Sequence, residues 1–152
     1  MIYNSILIQD YFISSFLKYI ELGYNIIDTH TIYEVNELDS IIIRLTNKKI
    51  NRIMHFRFQV YSGPDKLTIA EFVYFSIEEN NKRILFDQYW RQKKGEKNRI
   101  VSLISHVNEK TLKKRLNKYF VIVKETIETD FEKVIKGEEW IDVPFDWSGY
   151  NK

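Results

Sequence analysis

Residues 54–61 read Met-His-Phe-Arg-Phe-Gln-Val-Tyr, and residues 67–77 read Leu-Thr-Ile-Ala-Glu-Phe-Val-Tyr-Phe-Ser-Ile. In the first stretch Met54, Phe56, Phe58 and Val60 alternate with His55, Arg57, Gln59 and Tyr61, the period of two that gives a strand one apolar and one polar face. In the second, Leu67, Ile69, Val73, Phe75 and Ile77 alternate with Thr68, Ala70, Phe72, Tyr74 and Ser76. Ser62-Gly63-Pro64-Asp65 lies between them and supplies turn-forming residues, so the pair predicts a central β-hairpin near 52–77. Phe72 and Tyr74 add apolar character to the second face, as in a central strand or an aromatic surface.

Working outward, Ile41, Ile43 and Leu45 alternate with Ile42, Arg44 and Thr46 to give a further strand closed by the polar turn Asn47-Lys48-Lys49. From Tyr24 to Glu37 the pattern predicts one or two short strands around a turn near Thr29 to Thr31. Ile13, Phe16, Leu17 and Ile20 recur at helical spacing in a segment that starts at Ser5 or Asp10 and stops at Gly23. Downstream, Glu78 to Lys82 reads as a polar turn. Arg83 to Trp90 is an apolar run too short to separate strand from helix, and Arg91 to Arg99 reads as a basic loop. Asn108-Glu109 marks a helix start, after which Leu112, Leu116, Phe120, Val123, Ile127, Phe131 and Val134 trace one helical seam that Gly137 ends. Trp140, Val143, Pro144, Phe145 and Trp147 predict a tail strapped across the core.

Strands grouped between helices predict an α+β fold: an N-terminal helix, an antiparallel β-sheet of about four to five strands, and a long C-terminal helix packed on one sheet face. The 152 residues contain no repeat, linker or low-complexity tract and suit a single domain over 1–152, a length that buries roughly 70% of the unfolded surface. A hydrophobic fraction of 44%, with ten Phe, ten Tyr and three Trp, supplies that core. Cysteine is absent, which excludes disulfides, thiolate metal sites and thiol nucleophiles. The N-terminus MIYNSILIQDYF lacks the features of a secretory signal and no long uncharged apolar run follows, so the chain is expected in the cytoplasm with no membrane partner.

Charge is polarised although the net value is only +2. Ten of the 23 Lys and Arg residues fall between Arg91 and Lys118, and eight of the 21 acids fall between Glu125 and Asp146. Cations in the first turns of a helix oppose its macrodipole, so local stability does not explain their placement. Three readings fit: a solvated helix face, a steering patch for an acidic protein, or a phosphate-binding surface with Tyr119 stacking on a base.

Nucleophile elbows, Walker loops and dinucleotide fingerprints are missing, and five scattered glycines form no phosphate cradle. His30, His55 and His106 show no metal-ligand spacing, so neither a metal nor a cofactor is expected. His55 shares a strand face with Arg57 and Gln59. Together with Glu71 from the neighbouring strand, in a suitable register, they would resemble an acid–base site for RNA cleavage; the same alternation also describes an ordinary outer sheet face. Glu125, Glu128, Asp130, Glu132, Glu138 and Glu139 carry no histidine or partner strand that would make them a metal cluster.

A first helix ending in Gly23-Tyr24, a strand meander and a long terminal helix resemble the layout of small intracellular immunity proteins. That resemblance implies binding to a toxin and occlusion of its active site without catalysis, and it transfers no site residue. The sequence thus predicts a non-enzymatic protein-binding module, most concretely an immunity-like or antitoxin-like inhibitor, with Arg57, Tyr61, Tyr74, Trp90, Lys93, Lys94, Lys113, Lys114 and Arg115 as contacts. The alternatives are a nucleic-acid-binding module using the basic segment 91–118 and a small nuclease using His55 and Arg57.

Overall fold

The computed structural model describes residues 5–33, 38–62, 69–94 and 109–145. Five antiparallel strands follow one another in space as in sequence: β1 (Asn25–Tyr33), β2 (Leu38–Asn47), β3 (Arg52–Ser62), β4 (Ile69–Glu79) and β5 (Lys82–Leu85). Helices α1 (Ser5–Ser15) and α2 (Leu17–Glu21) precede the sheet, and α3 (Phe86–Lys94), α4 (Glu109–Asp130) and α5 (Glu132–Ile135) follow it. This is the expected α+β fold. The sheet has five strands, its centre is the β3–β4 hairpin, and the long helix packs on one face.

Register explains which face is covered. Ile43 pairs with Phe56 and Phe56 with Phe75; Leu45 pairs with Met54, Met54 with Ile77 and Ile77 with Ile84. All of these are buried, and they meet Phe12, Phe16 and Tyr19 from the first helices and Leu116, Phe120, Val123 and Ile127 from α4. The contact is largely aromatic. Phe12 stacks on Phe56 with centroids 4.9 Å apart, Phe120 meets Phe56 edge-on at 5.3 Å, and Phe86 stacks on Phe131 at 5.4 Å. Such pairs contribute about 0.5–1.5 kcal/mol beyond the area they bury.

Several local expectations change. The first helix breaks at Phe16 (φ −115°), and its buried stripe is Phe12, Phe16 and Tyr19, whereas Leu17 is 52% exposed. β1 runs unbroken through Thr29–Thr31, with its irregularity at Ile26/Asp28 instead. The run from Arg83 to Trp90 holds both structures, the end of β5 and then α3, and Arg91–Lys94 finishes that helix rather than opening a loop. The remainder of the expected basic loop, the Gly63–Pro64 turn and the end of the tail lie outside the described residues.

The seam from Leu116 to Val134 is buried throughout. The chain bends at Phe131, and α5 ends in a left-handed cap: Gly137 (φ +76°) donates to Val134 O at 3.1 Å and Glu138 donates to Lys133 O at 2.8 Å. A Cβ on Gly137 would stand 2.7 Å from Ile50 Cβ, so glycine is required there twice over, by conformation and by space. The last carbonyls of α5 are tied to the sheet. Tyr24 Oη donates to Ile135 O at 2.6 Å, and the buried Arg52 donates through Nε to Val134 O at 2.9 Å and through Nη2 to Glu139 O at 3.1 Å. Arg52 also pairs with Glu79 at 3.0 Å and lies under the Trp140 ring, 5.2 Å from its centroid. The start of the tail is therefore held against the core, with Trp140, Ile141 and Val143 packed on it and Phe145 more exposed.

Candidate functional site

Two surfaces concentrate charge. The first is the outer side of α4. Lys113, Lys114 and Lys118 are exposed in its N-terminal half, Val121 is 49% exposed in the middle, and Glu125, Glu128 and Asp130 are exposed towards its C-terminus. Both halves oppose the helix macrodipole, at a cost of about 0.3–1 kcal/mol per charge near an end. The two halves differ in how they are matched. Glu128 accepts from Lys18 Nζ at 3.2 Å, and Glu132, just beyond the helix, pairs with Lys136 at 2.9 Å. Among the described residues Lys113, Lys114 and Lys118 make no ion pair; Lys113 only overhangs the Tyr11 ring at 5.5 Å.

The second surface is the sheet face opposite the helices. Ladder pairing sets out rows on it: Thr46, Ile53, Glu78 and Arg83; then Arg44, His55, Ser76 and Leu85; then Ile42, Arg57 and Tyr74. Three guanidinium groups and one imidazole thus gather around one described carboxylate. Arg83 Nε lies 2.8 Å from Glu78 Oε1, and His55 Nδ1 lies 3.9 Å from the same oxygen, too far for a hydrogen bond. Burial pushes the His55 pKa below its ordinary value; Glu78 opposes that shift, while Arg44, Arg83 and Arg57 reinforce it. The imidazole is therefore neutral at physiological pH.

The carboxylate near His55 is Glu78, not Glu71. Glu71 pairs with Val60, whereas His55 pairs with Ser76. Ser76, which is fully buried, was not legible as part of this cluster, because serine in a strand carries no signal of its own. Arg57 stands beside this cluster, with Tyr74 as its ladder partner, and Tyr61 lies further along β3; the tyrosine side chains are outside the described ones. Trp90 leaves the contact set: it is 4% exposed and its Nε1 donates to Thr126 Oγ1 at 2.9 Å, deep in the core. Tyr119 is 1% exposed and so cannot stack on a base. Lys93 is exposed at the end of α3, Lys94 is the last residue of that helix, and Arg115 is half-buried on α4 with a partner of its own.

Burial raises the pKa of Tyr19, Tyr24 and Tyr119, which removes these phenols from proton transfer near neutrality. Among the described residues no three His, Asp or Glu side chains converge as metal ligands, and no helix is long and apolar enough to cross a membrane. No protein-family model, curated protein or solved structure matches the chain.

Proposed function

We propose that this chain is a non-enzymatic protein-binding module that engages an acidic partner through the basic half of α4, with an intracellular immunity-like or antitoxin-like inhibitor as the most concrete version. The observation that carries the reading is the run of cations on α4: Glu128 at its acidic end is matched by Lys18, while Lys113, Lys114 and Lys118 are exposed and make no ion pair among the described residues. A cationic patch of this kind accelerates encounter with an acidic surface and disfavours basic ones. Val121 beside it offers a small apolar contact at the centre of the helix face. The test is affinity capture of the tagged full chain from extracts of its native cells after nuclease digestion. A stoichiometric protein partner supports the reading; recovery of nucleic acid alone before digestion, and of nothing after it, moves the function to the nucleic-acid alternative.

A second reading follows from the sheet face, where Glu78 and Arg57 flank His55 in the manner of an acid–base site for RNA. Purified His55→Ala protein that retains all of any measured RNA cleavage eliminates it.

A further inference from the structure

The sheet face opposite the helices holds hydrogen-bonding capacity that the described fold leaves unspent. Among the described residues, Arg57 Nε and Ser76 Oγ are shut away from solvent and meet no hydrogen-bond partner. The two residues are diagonal neighbours, since Arg57 pairs with Tyr74 and His55 with Ser76. A buried donor without an acceptor is costly, more so on a cation, and native folds rarely keep one without a use. The charges around it are uneven. Arg83 has Glu78 at 2.8 Å, and Arg44 has a partner of its own. Arg57 sits between Ile42 and Tyr74 in its row and forms no ion pair among the described residues.

We propose that this stretch of the sheet is a binding site for a single oxyanion, a carboxylate or phosphate group carried by a ligand, seated on the Arg57 guanidinium with the Ser76 hydroxyl and the His55 ring beside it. An oxyanion brings what the patch lacks: a negative charge for Arg57 and several acceptor lone pairs for N–H and O–H donors already in place. Arg57 as a whole is half-buried although its Nε is closed off, so the ligand approaches from the exposed part of the side chain. Ser76 has no exposed surface and lies beneath the site. His55 is then a built-in reporter. Its protonation is disfavoured by burial and by Arg44, Arg83 and Arg57 and favoured by Glu78, so an anion on Arg57 reduces the cationic field and raises its pKa. The site is separate from the basic face of α4, and failure of either proposal leaves the other standing.

The experiment follows the His55 ring resonance of the full chain by NMR, assigned with His55→Gln, during titration with sodium phosphate and with sodium acetate. Sodium chloride at equal ionic strength is the control. We expect saturable shifts and an upward move of the His55 pKa that chloride does not reproduce. Arg57→Gln weakens binding by about tenfold or more, Arg57→Lys weakens it less, and Lys133→Gln, at an exposed lysine of α5, leaves it unchanged. Saturation by phosphate alone assigns a phosphorylated ligand, and saturation by acetate alone assigns a carboxylate. The proposal is overturned if neither salt saturates through the millimolar range, if chloride does as much, or if folded Arg57→Gln binds like the wild type. Retention of the wild-type circular dichroism spectrum by the Arg57 variants establishes that they are folded.

Discussion

Replacing Arg52 by Met tests how the C-terminal segment is fastened. The side chain is 4% exposed and spans three parts of the chain: Val134 O at the end of α5, Glu139 O in the tail, and the Glu79 carboxylate of β4. Methionine keeps much of the stem's apolar contact but removes every donor. The Val134 and Glu139 carbonyls then lose charge-assisted bonds worth about 1.5–3 kcal/mol each, those of Ile50 and Asn51 lose longer ones at 3.3 Å, and Glu79 loses its cation. Water recovers part of this, since Glu79 is 26% exposed. Loss of one member of a buried pair costs about 3–5 kcal/mol, and we expect that range here. With a urea dependence of about 2 kcal/mol/M, the unfolding midpoint drops by roughly 1.5–2.5 M at unchanged slope. The double variant Arg52→Met/Glu79→Met isolates the ion pair, and part of the loss should return in it. A drop below about 1 kcal/mol in the single variant would refute the reasoning, because the tail would then be held by its own contacts.

Three further outcomes follow from the same geometry. Gly137→Ala should destabilise by about 2–3 kcal/mol through strain at φ +76° and collision with Ile50, lowering the melting temperature by roughly 4–12 °C; a calorimetric shift near zero would contradict it. Phe56→Ala, at the centre of the aromatic cluster, should cost about 3–5 kcal/mol in the same urea assay. His55 should make stability depend on pH. Its folded pKa lies below the ordinary 6.5, so between those values the unfolded chain binds the extra proton, and stability falls as pH drops from about 6.5 through the lowered folded value and then levels. His55→Gln should flatten the profile over that interval, and an unaltered profile would show that other groups set it.

Periodicity made the sheet and α4 legible before any coordinates, because alternation over eight or more residues and a seam of seven apolar residues have few alternative folds. The glycine stops at Gly23 and Gly137 were legible for the same reason: both residues carry positive φ in the structure. What escaped was set by tertiary context. Phe12 and Tyr19 displaced Leu17 from the buried stripe once the helix broke at Phe16, and eight residues from Arg83 to Trp90 proved to be a strand end followed directly by a helix. Trp90 read as a surface anchor because an aromatic beside a basic segment gives no sign that Thr126, 36 residues away, accepts its indole proton. The polar sheet cluster was half visible. His55 and Arg57 stood out along one strand, but Arg44, Ser76, Glu78 and Arg83 join them only through ladder register, which sequence alone does not fix.

The most direct test of the α4 reading is the affinity of the captured partner for wild-type protein and for Lys113→Glu/Lys114→Glu/Lys118→Glu, measured by calorimetry across a salt series. Wild-type binding should weaken as salt rises, and charge reversal should cost tenfold or more in affinity with unchanged thermal stability. Equal affinities for the two proteins at every salt concentration would contradict it.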